Sequence, residues 1–133
     1  MKVKIEMTEG QAWIVNEALD LYSRIWMGQI DEPFQMLRGF CDRYPKTEED
    51  SEGVDLALAL LSKIYFPELQ GGGYHSIGSC KTDERAKIAY DVQQSIRNKV
   101  AWANKPDGGY GVDFHSPLKT SRTEEFPTVV VEP

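Results

Sequence analysis

Residues 18–30 bring together side chains that suit the binding of a small anion with an attached ring. Guanidinium groups hold phosphates through paired N–H donors, aromatic rings stack on bases, and amides or hydroxyls bind exocyclic groups. Packing alone would favour Leu, Ile, Val and Ala throughout such a helix. We therefore predict that this helix lines a ligand site through Tyr22, Ser23, Arg24, Trp26 and Gln29.

Two further stretches, residues 74–79 and 108–114, have the same mixture of aromatic and polar side chains among glycines. A glycine-rich loop can bring backbone N–H groups close to a phosphate. A mobile connector is the alternative interpretation of the glycines in the first of these stretches. The candidate ligand contacts in the two stretches are Tyr74, His75, Ser76, Tyr110 and Asp113.

Tyr90 and Arg97 complete the candidate site from a predicted fourth helix. They lie two helical turns apart on a common face, with two glutamines between them. Such a face either forms the polar wall of a pocket or is simply solvated, and both interpretations stay open. Arg24 can also be interpreted as a structural residue rather than a ligand contact. Asp20 lies four residues before it, which is the spacing of an ordinary ion pair on one helix.

No residue pattern in the chain predicts catalysis or metal binding. His75 and His115 lack the close spacing of paired metal ligands, and Cys41 and Cys80 lack that of a zinc pair or a disulfide framework. General acid/base catalysis by Asp113 and His115 is the enzymatic alternative, since both groups can exchange protons with a substrate. We predict no catalytic residue, no metal and no cofactor.

The composition indicates one domain, residues 1–133, with a modest core, because 41% of the residues are hydrophobic. No apolar run approaches the ~20 residues that cross a bilayer, so we expect a soluble, cytoplasmic protein with no membrane partner. The net charge of −6 opposes binding to nucleic acid, whose phosphates are bound by clusters of Lys and Arg. A small phosphorylated ligand needs only a few well-placed cations and is not excluded.

Four stretches show the helical spacing of apolar residues. Thr8 followed by Gln11 is a capping-box pattern that opens the first helix, which should extend at least to Met27 before Gly28. The third helix, residues 51–65, is apolar nearly all round, which predicts either burial or contact with a partner chain. The second and fourth helices are predicted to begin at the caps Asp31 and Thr82 and to end near residues 44–45 and 103.

Alternating apolar and polar residues predict strands over residues 2–7 and 110–114, and three consecutive valines predict a short strand over residues 128–131. Strands at both ends of a helical chain are typical of an α+β domain. We therefore expect a small antiparallel sheet from the N- and C-terminal strands, packed on a layer of about four helices.

Residues 21–30, 73–78 and 89–97, with Trp102 and residues 108–110, resemble a group of small proteins encoded by bacteriophages. The Tyr-Ser-Arg-Ile-x-Met-Gly-Gln motif carries part of this resemblance, which covers nearly the whole chain. Small acidic phage proteins without catalytic signatures are similar in kind to anti-defence sponges, which bind cyclic nucleotide or cyclic ADP-ribose signals of bacterial immunity without cleaving them. The resemblance implies a homo-oligomer in the cytoplasm of the host bacterium.

The leading hypothesis is a phage protein that sequesters such a nucleotide-like ligand, with Arg24 and Arg97 on its phosphate groups and aromatic rings around its base or ribose. An enzyme that degrades the signal through His75, or through the Asp113 and His115 pair, is one alternative. The other is a protein-binding inhibitor of a host factor, whose tryptophans and apolar third helix would form the partner surface.

Overall fold

The computed structural model describes residues 1–41, 43–69 and 71–132, apart from the side chains of residues 40 and 41. Within these ranges the chain forms four α-helices and one short 3₁₀ helix, and it forms no strand. The elements are α1 (Glu9–Trp26), α2 (Glu32–Cys41), α3 (Glu48–Tyr65), α4 (Glu84–Asn104) and the 3₁₀ helix Val112–Phe114.

The predicted α+β fold is wrong, because the described part of the chain contains no sheet. A strand needs a neighbouring strand to satisfy its backbone N–H and C=O groups, and alternating side chains do not supply that neighbour. Residues 2–7 and 128–131 lie outside regular secondary structure, and Val3 and Ile5 remain 73% and 69% exposed. Residues 110–114 contain the 3₁₀ helix instead of the predicted second strand.

The predicted opening of the first helix is confirmed. The Thr8 side chain accepts the Gln11 N–H at 3.3 Å, and the Gln11 side chain accepts the Thr8 N–H at 2.9 Å. Gly28 follows the helix with a φ of +96°, a left-handed conformation that favours glycine after a helix end. The second helix, by contrast, ends at Cys41 rather than near residues 44–45.

The predicted starts of α3 and α4 are wrong. Thr47 is the N-cap of α3, since its hydroxyl accepts a backbone N–H of the first turn at 3.0 Å, so Ser51 lies inside the helix. Asp83 is the N-cap of α4, and Thr82 instead donates its hydroxyl to Ser76 O at 2.7 Å. Both members of each pair have the chemistry of a cap, so the surrounding loop decides which one is used.

α1 and α4 form the centre of the fold as an antiparallel pair. Near the end of α1, the Ser23 hydroxyl donates to Ala86 O, close to the start of α4, at 3.0 Å. At the opposite end, Asn104 Nδ2 of α4 donates to Glu9 Oε1 of α1 at 2.6 Å. Ser23 and Ala86 are both 0% exposed, so two small side chains let the helices approach closely at this point.

The core between these helices is small and partly polar. Its buried apolar side chains are Met27, Ala86, Ala89, Ile96 and Val100. Positions 89, 92, 96, 100 and 103 recur at helical spacing, which predicts an apolar stripe on α4. Ala89, Ile96 and Val100 are buried as predicted, Val92 is half-buried and Ala103 is exposed. The same helix also buries Lys87, Asp91, Gln93, Gln94 and Ser95. Buried polar groups require hydrogen-bond partners, and Gln93, Gln94 and Ser95 find theirs within α4, whereas the Asp91 carboxylate takes its partners from outside the helix pair.

α3 does not contribute to this core. None of its residues is buried, and among the described helices it packs against none of the others. The interpretation of α3 as buried within its own chain is therefore wrong, whereas its contact with a partner chain stays a prediction. Across the described ranges, no helix combines the length and the apolar character that spanning a membrane requires.

The contact between Ser23 and Ala86 should tolerate loss of the hydroxyl better than added volume. We expect Ser23→Leu to lower the free energy of unfolding by about 1–3 kcal/mol, because the larger side chain would push α1 and α4 apart. Ser23→Ala should cost about 1 kcal/mol, the net value of one hydrogen bond. Urea denaturation followed by circular dichroism measures both, and a Leu variant as stable as the wild type would contradict close packing here.

Candidate functional site

An open cleft of about 570 Å³ lies at the start of α4. The ends of α1 and α3, the loop before α4 and the C-terminal segment form its walls. Small-molecule sites commonly have volumes of ~300–1,000 Å³, so the cleft can hold a ligand of nucleotide size. Its lining residues in the described part of the chain are Trp26, Tyr65, Phe66, Glu68, Cys80, Lys81, Thr82, Asp83, Glu84, Lys87 and Arg122.

Trp26 supplies an aromatic wall whose position is fixed by two neighbours. The guanidinium carbon of Arg85 lies 4.2 Å from the centroid of its indole, and Tyr22 meets it edge-on with centroids 6.2 Å apart. Arg85 is itself held by Asp83, whose oxygens accept its Nε and Nη2 at 2.9 and 3.1 Å. These side-chain hydrogen bonds, together with one from the Arg85 N–H, lower the pKa of Asp83 to about 2.

Lys87 is the buried cation of the cleft. Its side chain is only 5% exposed, and yet it lines the cleft wall. The nearest carboxylate oxygen, Glu84 Oε2, lies 3.9 Å from Nζ, which is beyond hydrogen-bond distance. Within the described residues the ammonium donates no hydrogen bond, and it is not one of the fully enclosed polar atoms that lack a partner, so Nζ is accessible from the cleft. The position therefore favours an anion that enters the cleft.

The other carboxylates of the cleft are engaged by the protein itself, whereas its other cations are not. Glu68 Oε1 lies 2.7 Å from His75 Nε2, and this contact lowers the pKa of Glu68. Glu84 binds the C-terminal segment, as described below. The Lys81 and Arg122 side chains make no hydrogen bond within the described ranges, so the cleft presents more available donors than acceptors to a ligand.

Residues 119–124, here called the C-terminal strap, cross α4 and supply the partners that its buried polar face needs. Asp91, only 2% exposed, accepts the Thr120 N–H at 2.8 Å and the Thr120 hydroxyl at 2.7 Å on Oδ1. Its Oδ2 accepts the Ser121 N–H at 3.0 Å and lies 3.8 Å from Lys119 Nζ. Several donors thus compensate the burial of this carboxylate.

Glu84 holds the next part of the strap. Its Oε1 accepts the Ser121 hydroxyl at 2.7 Å, the Thr123 N–H at 3.1 Å and the Arg122 N–H. The hydrogen bond from Ser121, followed by those from the backbone N–H groups, lowers the pKa of Glu84 to about 2. Because Glu84 begins α4, this contact brings Arg122 to the edge of the cleft.

Arg24 and Gln29, two of the predicted ligand contacts, are used to join α1 to α2. Arg24 Nε lies 2.6 Å from Asp20 Oδ2, and its Nη1 lies 3.1 Å from Glu32 Oε1. The same Nη1 donates to Gln29 Oε1 at 3.2 Å. The structural alternative considered for Arg24 is thus present, with a second carboxylate added from α2.

The predicted contacts at positions 74–76 lie in the loop beside the cleft rather than in its lining. Tyr74 is 57% exposed. The His75 N–H donates to a carbonyl at the end of α1 at 2.8 Å, while its ring contacts Glu68. Ser76 contributes its carbonyl oxygen as the acceptor for Thr82. These residues mainly fix the loop that leads into α4.

The remaining predicted contacts lie further along the chain from the cleft. Arg97 Nε is 3.2 Å from Asp113 Oδ1, and its Nη2 donates to Gln94 Oε1 at 2.8 Å. Tyr90 is half-buried, and Tyr110 is fully exposed. Arg97 lies ten residues after Lys87, about 15 Å along the axis of α4. The structure therefore separates the two arginines that were predicted to bind one phosphate-bearing ligand.

Of the twelve predicted ligand residues, Trp26 lines the cleft in the described part of the chain. Tyr22 contacts Trp26, and Ser23 lies between α1 and α4, where it donates to Ala86 O. The analysis of the sequence missed Lys87 and Arg122. A usable signal was present, because charged residues recur at positions 84, 87 and 91, which is the spacing of one helix face. The hydroxyl-rich segment that follows at residues 119–123 offers donors for buried carboxylates.

Compared with protein-family models, curated proteins and solved structures, the chain matches none of them. Among the residues that the structure describes, no group of three His, Cys, Asp or Glu side chains is arranged to hold a metal ion. The case for a function therefore rests on the geometry of the cleft and on the chemistry of the residues around it.

The attachment of the strap to Glu84 should make the fold sensitive to acid. The pKa of Glu84 is lowered from 4.5 to about 2, so its contribution to stability is complete above pH 4.5 and is lost as the pH falls towards 2. We expect Glu84→Gln to be less stable than the wild type at pH 7, and the difference to shrink as the pH falls through this range.

Urea denaturation at a series of pH values from 7 to about 2.5 measures this difference directly. Ser121→Ala, which removes the main donor to the carboxylate, should change the pH dependence in the same direction. A difference between the wild type and Glu84→Gln that stays constant across the series would contradict the proposed anchoring.

Proposed function

We propose that the protein binds a small nucleotide-derived anion in the cleft at the start of α4 and sequesters it without cleaving it. The observation that carries this proposal is the Lys87 ammonium, which stands on a side chain only 5% exposed in the cleft wall and lies 3.9 Å from its nearest carboxylate oxygen. A phosphate oxygen in the cleft would supply the hydrogen-bond acceptor that this group lacks among the described residues.

The cleft offers different chemistry to the two ends of such a ligand. Trp26 and Phe66 provide apolar ring surface for a base, since aromatic rings stack on any base through their faces. Lys87, with Lys81 and Arg122, provides positive charge for a phosphate group. Base and phosphate together distinguish a nucleotide from a simple inorganic anion.

This assignment replaces the earlier hypothesis that Arg24 and Arg97 contact phosphate. Arg24 Nε donates to Asp20 Oδ2 at 2.6 Å, so a ligand phosphate there would have to displace a hydrogen bond, whereas at Lys87 it displaces none of those described. Arg97 Nε lies 3.2 Å from Asp113 Oδ1 without making a hydrogen bond, but Arg97 stands ten residues beyond Lys87, about 15 Å along α4 from this cleft. The proposal therefore keeps the class of ligand and changes the cations that bind it.

Sequestration is favoured over turnover by the composition of the cleft lining. Catalysis of acyl or phosphoryl transfer by a side chain requires a nucleophile and a base within hydrogen-bond reach of each other. Of the thiol and aliphatic hydroxyl groups of the described lining, Thr82 donates its hydroxyl to Ser76 O, and Cys80 makes no hydrogen bond to a base among the described residues. The resemblance to small phage proteins supports immune signals, such as cyclic oligonucleotides or cyclic ADP-ribose isomers, as the ligands to test.

Native mass spectrometry with a panel of cyclic dinucleotides, cyclic trinucleotides and cyclic ADP-ribose isomers tests the proposal. We expect one class to bind, and Lys87→Gln to weaken its binding by about 10- to 100-fold, the value of one charge-assisted hydrogen bond. Lys99→Gln is the matched control, because it removes one positive charge from an exposed position on the same helix and should leave affinity unchanged.

Heat release of the bound molecule distinguishes the remaining alternatives. A ligand released with its original mass supports sequestration, whereas a ligand released with altered mass contradicts it and favours an enzyme. Failure of the whole panel to bind, or equal affinity of the Lys87→Gln and wild-type proteins, would overturn the assignment of the cleft.

A further inference from the structure

α3 carries a row of apolar side chains that nothing in the described chain covers. Leu56, Leu60 and Ile64 follow one another at intervals of four residues, which places them in one ridge along the helix. They are 72%, 58% and 60% exposed. Tyr65, at the end of the helix, is 71% exposed as well. Contiguous apolar surface of this kind marks an interaction site.

The total surface of the chain is larger than a monomer of its mass normally exposes. The accessible area is 9862 Å² for a chain of 15.1 kDa, whereas a folded monomer of that mass exposes about 7,100 Å². The excess, about 2,800 Å², is comparable to the ~1,000–2,500 Å² that each subunit of an obligate homodimer buries. The extended segment 1–8 contributes to this excess, and the exposed face of α3 contributes to it as well.

The charges of α3 restrict how a second copy could pack on it. Its N-terminal half carries five carboxylates, at positions 48, 49, 50, 52 and 55, and its last turn carries Lys63. Two such helices side by side in the same direction would bring the acidic ends together, which costs energy. In the antiparallel arrangement the two acidic ends lie at opposite ends of the interface, away from each other. The same acidic half opposes docking on an anionic lipid surface.

We propose that the protein forms a homodimer in which α3 packs antiparallel against α3 of a second copy, with the Leu56, Leu60 and Ile64 ridges interdigitating. Identical ridges of this spacing fit one another's grooves, and a twofold axis makes the interface self-complementary. The interaction depends on this exposed face and not on the function proposed for the cleft.

Pairing would also affect the cleft, because α3 leads directly into it. Tyr65 and Phe66 stand at the end of the helix and line the cleft wall. In the single chain this wall belongs to a helix that packs against no other described helix. A second copy against α3 would therefore hold one side of the ligand site in place.

Sedimentation velocity of the full chain over a range of concentrations tests the dimer. We expect the wild type to sediment at twice its chain mass of 15.1 kDa, and Leu60→Glu to sediment at the chain mass. Ala59→Glu is the matched control, since it adds the same charge at the neighbouring exposed position, off the ridge, and should remain a dimer. Circular dichroism verifies that all three proteins keep the same helix content.

Disulfide formation provides a second measurement that does not depend on a charged substitution. In a background with both native cysteines replaced by serine, Leu60→Cys should oxidise to a covalent dimer, whereas Ala59→Cys should not. The proposal would be overturned if the wild-type chain sediments as a single copy at every concentration. Binding of that single copy to lipid vesicles or to another protein would not rescue it. A dimer that survives Leu60→Glu would overturn it too.

Discussion

Two carboxylates on one face of α4, Asp91 and Glu84, determine how the rest of the chain is arranged. Each accepts hydrogen bonds from the backbone N–H and hydroxyl groups of the C-terminal strap. Five of these hydrogen bonds have lengths of 2.7 to 3.1 Å. Buried carboxylates are costly unless several donors surround them. The strap both covers this part of α4 and supplies the donors that the burial of Asp91 requires.

The same constraint connects the fold to the cleft. Asp91 fixes the middle of the strap on α4, and Glu84 carries it to the start of the helix, where Arg122 reaches the cleft. Lys87 lies between the two carboxylates in sequence and is buried by the same arrangement. The positive side of the proposed ligand site is thus a consequence of how the C-terminal strap is anchored. The apolar side depends instead on Trp26 and on the end of α3, a helix that packs against no other described helix.

Local features of the fold could be predicted from the sequence. The capping box of Thr8 and Gln11 and the glycine after α1 depend on residues close together in the chain, and both are present. The apolar stripe of α4 was predicted at Ala89, Ile96 and Val100 for the same reason. Alternation at residues 2–7 and consecutive valines at 128–131 predicted strands that do not form, because pairing depends on partners that local sequence cannot specify.

The candidate site was harder to predict because its members come from distant parts of the chain. Arg24 and Arg97 have the right chemistry for a phosphate, but nearby carboxylates bind them, and only the fold shows which ones. Lys87 looked like an ordinary helix charge. The strap binds α4 from about 30 positions later in the chain, and its Thr120 hydroxyl donates to the Lys87 carbonyl at 3.2 Å. The role of such a residue depends on long-range contacts rather than on its neighbours in sequence.

Amide hydrogen exchange of the strap tests most directly whether the two carboxylates organise this part of the molecule. The Thr120 and Ser121 N–H groups donate to Asp91 and the Thr123 N–H donates to Glu84. All three should exchange on the order of 100-fold more slowly than the Glu125 N–H of the same segment. Exchange of all four at the rate of exposed coil would show that the strap is not anchored and would contradict the account.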